Sequence, residues 1–282
     1  MNDKDSALVT ANWLLERLND SNISIVDASW YLPEAHRDPM AEYRQSHIPG
    51  AVFFNLEEVR DLSSNLPNTL PTPDYFAKKV GALGLTNDKL IVVYDGPGFF
   101  SAPRAWWMLR VMGAKNVVIL DGGFDQWRKN GFPVSHIEPA VTPAIFNPAF
   151  QNDRVISFSQ MHAHIEKGDI QVVDARGHGR FSGEQKEPRA NMRSGHMPGA
   201  INVPASSLSE QGYLRSRAAL QQLFKDAGID YNAPTVASCG SGVTACCVLF
   251  ALQSLGNKDL YLYDGSWSEW GSRDDTQVVT GD

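Results

Sequence analysis

Short apolar runs, rich in β-branched residues, alternate along the chain with segments of helical periodicity. In the first half, three such runs predict buried strands, and one periodic segment predicts a helix that Thr72 caps and Gly84 ends. The predicted strands cover residues 23–26, 90–94 and 117–120, and the predicted helix covers residues 73–83.

The second half repeats this pattern, with a helix that Gly228 ends. Strands that alternate with helices indicate βαβ units, so we predict an α/β fold in which helices flank mainly parallel sheets. Functional residues are then expected at the carboxyl ends of the strands. The predicted strands cover residues 170–173, 235–238 and 260–263, and the predicted helix covers residues 216–227.

Four sequence blocks occur twice, in the same order and at nearly constant spacing. Such self-similarity predicts two homologous halves, in which Asp95 occupies the position of Cys239. The paired blocks are "SIVDASW" with "QVVDARG", "SHIPGAVFF" with "GHMPGAINV", "LIVVYDGPG" with "TVASCGSG", and "LDGGFDQW" with "YDGSWSEW".

The segment between the halves contains four prolines, which prevent a regular helix and favour extended backbone. An edge strand with surface loops is an alternative for this segment that leaves the number of domains unchanged. We therefore predict one domain over residues 1–132, a proline-rich linker over residues 133–154 and a second domain over residues 155–282.

Composition narrows the classes of partner and compartment. The formal net charge of -7 over 282 residues disfavours nucleic acid and anionic membranes, because both repel an acidic surface. The apolar region 236–252 is too short and too often interrupted by glycine and serine to span a bilayer. Acidic residues near the start, where a signal peptide is basic, and an odd number of cysteines favour the cytoplasm.

The loop "CGSGVTA" follows the predicted strand 235–238 and leads into a helix that begins near Thr244. Its glycines allow successive backbone N–H groups to point inward as an anion-binding nest, and the helix adds its positive dipole end. Such a nest would stabilise a thiolate or persulfide on Cys239. The predicted donors toward substrate are the N–H groups of Gly240, Gly242, Val243 and Thr244.

Other interpretations of the cysteines fit less well. A lone cysteine after an apolar run is often inert core, but core packing does not need the glycines and hydroxyls that follow Cys239. A Walker loop lacks its lysine, and a cysteine phosphatase lacks its arginine, because residues 239–245 contain neither. His162 and His164 lie two apart on a predicted helix, which disfavours zinc. The adjacent pair Cys246 and Cys247 is expected to pack in the core.

These features resemble the rhodanese family of tandem sulfurtransferases over nearly the whole chain. The motifs that carry the resemblance are "DARGHGRFSGE", "RSGHMPGAINVP", "CGSGVTA" and "YDGSWSEW". The resemblance implies two rhodanese-like domains, of which the first is inactive because Asp95 replaces the cysteine. The loop is similar to that of members that use 3-mercaptopyruvate, since thiosulfate-specific members carry basic residues where Gly240 and Ser241 stand here.

The resemblance also implies a mechanism without cofactor or metal. Cys239 would take sulfur from 3-mercaptopyruvate as a persulfide, release pyruvate, and pass the sulfur to cyanide, a small thiol or a dithiol protein such as thioredoxin. Arg180 and Arg189 would hold the donor's oxygens, whereas Arg176 and Arg193 are expected to be structural. A thiosulfate sulfurtransferase and a catalytically silent binding protein are the alternative functions.

By the same resemblance Ser241 would act with a histidine and an aspartate from the first half, which map to His47 and Asp38. Ser241 has a turn role as its alternative. His47 has a structural alternative, because His196 recurs in the same "H-x-P-G-A" turn. The tryptophans are expected to pack in the core rather than on a ligand. They are Trp106, Trp107, Trp127, Trp267 and Trp270.

Overall fold

The computed structural model describes residues 7–189 and 191–281, and these divide into two compact units. Each unit includes one short segment from the other half of the sequence. Unit 1 consists of residues 7–62, Leu70–Gln151 and Gln211–Leu214, and unit 2 consists of Ser63–Thr69, Asn152–Glu210 and residues 215–281.

Unit 1 contains a five-stranded sheet in the order β1-β5-β4-β2-β3, and every strand pair in it is parallel. Its elements are β1 (Leu8–Val9), α1 (Ala11–Leu15), β2 (Ile23–Asp27), α2 (Pro39–Gln45), β3 (Val52–Phe53), α3 (Pro73–Ala82), β4 (Leu90–Tyr94), α4 (Ala102–Val111), β5 (Asn116–Leu120) and α5 (Gly123–Lys129), with a 3₁₀ turn at Pro33–Ala35.

Unit 2 contains a second parallel sheet, in the order β6-β12-β11-β7-β8. The remaining elements in chain order are β6 (Val155–Ile156), α6 (Phe158–Lys167), β7 (Gln171–Asp174), α7 (His178–Ser182), β8 (Ile201–Asn202), β9 (Ser209–Glu210), β10 (Tyr213–Leu214), α8 (Arg217–Asp226), β11 (Thr235–Ser238), α9 (Ala245–Leu255), β12 (Leu260–Tyr263) and α10 (Ser266–Trp270), with 3₁₀ turns at Asn152–Arg154 and Ala205–Ser207. Of these, β10 lies in the segment that belongs to unit 1.

The two sheets share one strand order, so the repeat in the sequence is a repeat of architecture. The predicted α/β class with mainly parallel sheets is confirmed. Because the carboxyl ends of parallel strands meet at one edge, the loops after β4 and β11 occupy equivalent places in the two units. These are the loops that begin with Asp95 and Cys239.

Local sequence explains the helix ends that position these sheets. The hydroxyl of Thr72 accepts from the N–H of Tyr75, and Pro73 takes the first helical position of α3, where no N–H is needed. Gly84 follows the helix with φ of +73°, a conformation that other residues adopt at a cost. The predicted start of this helix is confirmed, and the helix ends at Ala82, one residue before the predicted end.

Aromatic residues fill the cores as predicted. Trp127 packs with Leu14 and Tyr94 in unit 1, and Trp267 and Trp270 pack with neighbouring apolar side chains in unit 2. Burial of such large apolar surfaces is the main driving force for folding, since truncation of a buried tryptophan costs about 3–5 kcal/mol. All five tryptophans singled out in the sequence are buried: Trp106, Trp107, Trp127, Trp267 and Trp270.

The proline-rich segment has no regular strand or helix over residues 137–151, and up to Gln151 it belongs to unit 1. The N–H of Ala144 donates to the carbonyl of Gly81, and Phe146 packs edge-on against Phe76. Most of the predicted linker therefore packs as part of unit 1. Within residues 7–189 and 191–281, no helix is both long and apolar enough to cross a membrane.

Candidate active site

Cys239 lies directly after β11 and is 2% exposed. Its N–H donates to the hydroxyl of Ser266 (3.2 Å), and its carbonyl accepts from the N–H of Trp267 (2.9 Å). The Ser266 hydroxyl in turn donates to the carbonyl of Tyr263. Ser266 adopts φ of +50°, a strained conformation for a serine, so the segment after β12 is shaped to hold the cysteine backbone.

The loop after Cys239 turns sharply into α9. Gly242 adopts φ of +78°, in the left-handed region that glycine tolerates. The carbonyl of Gly240 accepts from both the N–H (2.9 Å) and the hydroxyl (2.6 Å) of Ser268, which fixes the loop against α10. Val243 is buried, and Thr244 is the N-cap residue of α9. The four predicted N–H donors thus lie between the thiol and the positive end of a helix.

The equivalent loop in unit 1 shows how such backbone groups converge. The N–H groups of Phe100, Ser101 and Ala102 all donate to one carboxylate oxygen of Asp95, at 2.8, 2.6 and 2.7 Å. Burial raises the pKa of Asp95, and these hydrogen bonds oppose that shift by stabilising the charged form. The loop of unit 1 is therefore an anion-binding nest that its own carboxylate fills.

Main-chain hydrogen bonds show that the two loops are counterparts. The carbonyl of Asp95 accepts from the N–H of Phe124 at 2.9 Å, as the carbonyl of Cys239 does from Trp267. By this equivalence the side chain of Cys239 projects where the carboxylate of Asp95 projects. A sulfur atom there would meet backbone N–H groups, which suit a thiolate or persulfide.

Arg180 lies beside the cysteine loop. A methyl group added to Gly240 would lie 3.1 Å from Nη2 of Arg180, so the glycine lets the guanidinium approach the loop closely. Glu187 accepts from Nε (3.2 Å) and Nη2 (2.5 Å) of Arg180, whose side chain is 19% exposed. Glu187 holds the Nε–Nη2 edge of this guanidinium, which carries five N–H groups in all.

A buried ionic network supports this arginine. Arg176 donates to Asp174 through Nη2 (2.6 Å) and to Glu187 through Nη1 (2.8 Å), and its guanidinium lies 4.2 Å from the centre of the Trp267 ring. The side chains of Asp174, Arg176 and Glu187 are almost fully buried. Arg176 is therefore part of the framework, as expected, and Glu187 couples it to Arg180.

Arg189 contacts the cysteine loop indirectly, through the side chain of Ser268. Its Nη1 lies 3.3 Å from the hydroxyl of Ser268, and that hydroxyl donates to the carbonyl of Gly240. Arg193 instead donates to main-chain carbonyls, including those of Trp270 and Thr276, which fits the expected structural role. Of the four arginines in this region, Arg180 and Arg189 are the two placed at the cysteine loop.

Ser241 is buried, and its hydroxyl accepts from the side-chain amide of Asn68 at 3.0 Å. Asn68 lies in the segment Ser63–Thr69, which comes from the first half of the sequence and belongs to unit 2. A residue of the first half thus contacts Ser241, but it is an asparagine that the sequence analysis did not single out.

His47 and Asp38 make local contacts in unit 1. Nδ1 of His47 lies 2.7 Å from the carbonyl of Tyr43, and Nε2 lies 3.2 Å from the carbonyl of Ile137. The carboxylate of Asp38 accepts from the N–H of Ala41 and caps α2. Both ring nitrogens and the carboxylate are thus engaged in structural hydrogen bonds, and the catalytic roles of these two residues stay predictions.

The repeat favours the structural alternative for His47. Its counterpart His196 stacks on Phe181, with ring centres 3.7 Å apart, and places Nδ1 2.9 Å from the carbonyl of the same residue. His47 stacks on Tyr43 at 4.2 Å and contacts the Tyr43 carbonyl in the same way. Two histidines in equivalent turns with equivalent contacts indicate a common role in shaping the turn.

Several side chains at the site are absent from the sequence predictions. Ser266 and Ser268 stand in the repeated block "YDGSWSEW", but the repeat alone assigns no role to either serine. Glu187 follows "DARGHGRFSGE" closely and could have been paired with its arginines by charge. Asn68 carries no motif signal, because only the fold brings residues 63–69 to the cysteine loop.

Unit 1 differs from unit 2 at the positions that Cys239 and Arg180 occupy in unit 2. The hydroxyl of Tyr31 approaches Gly96, where a methyl group would lie 2.5 Å away, as Arg180 approaches Gly240. Tyr31 donates to Glu42 at 2.8 Å. Unit 1 therefore has a tyrosine in place of the arginine, a carboxylate in place of the thiol and a nest that is already filled.

Asp27 of unit 1 occupies the position of Asp174 but has no arginine partner, because Ser29 stands where Arg176 stands in unit 2. Chiefly through burial, the pKa of Asp27 is raised from 3.8 to about 6. The folded protein therefore holds this proton more tightly than the unfolded chain does. The resulting stability is present below about pH 4 and is lost as the pH rises through 6.

We therefore expect Asp27→Asn to remove the loss of stability that occurs as the pH rises through 6. Relative to the wild type, the variant's free energy of unfolding should rise by about 2 kcal/mol between pH 4 and pH 7. Urea denaturation at several pH values measures this, with hydrogen exchange of β2 assigning the transition to unit 1. Asp88→Asn, at an exposed carboxylate, is the matched control. A pH-independent difference between Asp27→Asn and the wild type would contradict the assignment.

The two units share one parallel-sheet architecture, and one of them carries a cysteine in the loop between β11 and α9, which defines a rhodanese-type sulfurtransferase. The chain belongs to the rhodanese family, because the sequence profile of the rhodanese-like domain matches residues 10–130 and 157–273. The predicted pair of rhodanese-like domains is confirmed, and the protein is an enzyme of the sulfurtransferase class rather than a silent binding protein.

Full-length relatives are similar to this chain throughout. The 3-mercaptopyruvate sulfurtransferase of Escherichia coli K12 is 42% identical over 271 residues, which are 96% of each chain. The thiosulfate sulfurtransferase of Gallus gallus is 43% identical over 274 residues, 95% of this chain and 94% of that one. The crystal structure of SseA from E. coli, a 3-mercaptopyruvate sulfotransferase, matches with a TM-score of 0.86 and 40% identity, covering 93% of this chain and 99% of that one.

Proposed function

We propose that the protein transfers sulfur from 3-mercaptopyruvate, through a persulfide on Cys239, to cyanide or thiol acceptors. One observation carries the choice of donor: the loop residues 240–245 contain no lysine or arginine. Thiosulfate is a compact dianion that gains most from positive charge next to the nucleophile. The loop instead offers backbone dipoles and the Ser241 hydroxyl.

In the first step the Cys239 thiolate attacks the sulfur of 3-mercaptopyruvate. A sulfur–sulfur bond forms, the carbon–sulfur bond breaks, and its electron pair goes to the departing carbon as an enolate. The proton of the donor thiol ends on that carbon, so pyruvate leaves and Cys239 carries a persulfide anion. The nest around the Cys239 side chain stabilises that anion, as the equivalent nest stabilises the carboxylate of Asp95.

Arg180 and Arg189 orient the donor in this proposal. Both lie at the cysteine loop, Arg180 beside Gly240 and Arg189 one hydrogen bond away through Ser268. The forked guanidinium suits a carboxylate and an adjacent carbonyl, which a lysine would meet only as a point charge. Fixing both oxygens holds the carbon–sulfur bond in line with the nucleophile.

In the second step an acceptor nucleophile attacks the outer sulfur of the persulfide and regenerates the Cys239 thiolate. Cyanide, a small thiol or a reduced dithiol protein such as thioredoxin is nucleophilic enough for this transfer. Cys239, Cys246 and Cys247 are buried, and none of them forms a disulfide. Thiols that form no disulfide suit a reducing compartment, so we also propose that the protein works in the cytoplasm.

A comparison of the two donors tests the proposal. With cyanide as acceptor, kcat/KM should be at least about tenfold higher for 3-mercaptopyruvate than for thiosulfate, which corresponds to one well-placed hydrogen bond or charge. Thiosulfate is the second candidate donor, because a full-length relative at 43% identity is a thiosulfate sulfurtransferase. A preference for thiosulfate would overturn the argument from the uncharged loop and leave the class of enzyme intact.

A further inference from the structure

The hydrogen bond between Asn68 and Ser241 joins a residue far away in sequence to the position two residues after the nucleophile. Nδ2 of Asn68 lies 3.0 Å from the hydroxyl oxygen of Ser241, and both side chains are buried, with Asn68 2% exposed. A buried polar contact of this kind persists because each group would be costly to leave without a partner.

The direction of this hydrogen bond determines what Ser241 can do. A hydroxyl has a single hydrogen, and its oxygen can accept at the same time. Because the amide of Asn68 donates to that oxygen, the Ser241 hydrogen is directed to another acceptor. A side-chain amide also neither gains nor loses a proton near neutral pH, so this partner cannot remove the Ser241 proton.

The backbone at Asn68 is shaped for this contact. Asn68 adopts φ of +59°, in the left-handed region that asparagine and aspartate enter more readily than other side-chain-bearing residues. The preceding Pro67 restricts the chain before it. Backbone strain of this kind persists where the surrounding structure fixes the direction of a side chain. Here it directs the side chain of Asn68 toward Ser241 in the cysteine loop.

We propose that Asn68 is a positioning residue that holds Ser241 as a hydrogen-bond donor to the sulfur donor's carbonyl. This inference rests on the proposed function. When the carbon–sulfur bond breaks, its electron pair moves onto the carbon and the adjacent carbonyl oxygen, and the Ser241 hydroxyl stabilises that oxygen. Ser241 keeps its proton throughout, and the carbon receives the proton of the donor thiol. The step needs no titrating partner for Ser241.

Asn68→Asp tests the direction of the hydrogen bond. The variant keeps the side-chain shape and the tolerance of positive φ, but an ionised carboxylate only accepts, so the Ser241 hydrogen turns toward it. The rate of persulfide formation from 3-mercaptopyruvate in a single turnover should fall by about tenfold to a hundredfold, with little change in donor affinity. As the pH falls and the introduced carboxylate takes up a proton, it regains a donor and the loss should shrink, which gives a pH dependence that the wild type lacks.

A double-mutant cycle with Ser241→Ala separates positioning from a structural effect. If Asn68 acts through Ser241, Asn68→Asp should have almost no further effect on the rate in the Ser241→Ala background. Asn65→Asp, an exposed change in the same segment, is the matched control and should leave the rate unchanged. Additive losses in the cycle, or an Asn68→Asp rate equal to that of the wild type, would overturn the inference.

The outcomes distinguish this inference from the function on which it rests. If wild-type protein forms no persulfide with 3-mercaptopyruvate, the proposed function is wrong whatever the variants do. If the wild type forms it and Asn68→Asp matches it at every pH, only the role of Asn68 is wrong. Thermal unfolding of each variant shows that the compared proteins are folded.

Discussion

Cys239→Ser should lower sulfur transfer by on the order of a thousandfold or more, the scale seen when an enzyme loses its nucleophile. The hydroxyl can occupy the same nest, but it cannot accept sulfur as a persulfide. Intact-mass measurement after incubation with the donor should show one added sulfur atom on the wild type and none on the variant. The steady-state rate with cyanide measures the loss.

The other cysteines supply the control for this experiment. Cys247 is fully buried within α9, so Cys247→Ala should retain both the added sulfur and the rate, apart from a small cost in stability. Sulfur that still adds to the Cys239→Ser variant would place the nucleophile at Cys246 or Cys247. That result would contradict the assignment of the site to the loop after β11.

The second large effect is expected at Glu187. Glu187→Gln removes the negative charge that Arg176 and Arg180 share, and it leaves a buried guanidinium with only part of its compensation. Breaking a buried ionic network in this way should lower the free energy of unfolding of unit 2 by about 3 kcal/mol. The Arg180 fork also loses its alignment, so the KM for 3-mercaptopyruvate should rise. Urea denaturation and steady-state kinetics measure the two effects.

Glu184 offers a matched comparison, because it is exposed and lies three residues earlier in the chain. Glu184→Gln removes the same charge from the protein as a whole but should change stability by less than about 0.5 kcal/mol. Equal unfolding midpoints for the two variants would show that the buried network contributes nothing. Loss of stability without a change in KM would show that Glu187 supports the fold but does not align Arg180.

Much of the fold was predictable because local patterns and tertiary structure agree. The apolar runs at Thr235–Ser238 and Leu260–Tyr263 became strands with the predicted limits, since a buried parallel strand needs a continuous apolar run. The helix after Thr72 was fixed by its cap and by Pro73. The repeated sequence blocks then predicted that both halves of the chain form the same type of sheet.

The candidate site was predictable only as far as it is continuous in sequence. Cys239 and its glycines form one loop, and Arg180 lies near a repeated block. The partner of Ser241 was predicted to be His47, whereas the side chain that the structure places on Ser241 is Asn68. Residues 63–69 carry no periodic or motif signal, so their place depends on tertiary packing alone.

The composition of the two units limits how this protein can be divided. A chain cut after Gln151 would separate Asn152–Glu210 from Ser63–Thr69, and it would leave Gln211–Leu214 with the wrong fragment. The second half alone would therefore lack Asn68, and the first half alone would lack the strand residues Tyr213 and Leu214. Each half of the sequence supplies a segment to the other unit. The first half thus contributes the segment Ser63–Thr69 to the unit that contains Cys239.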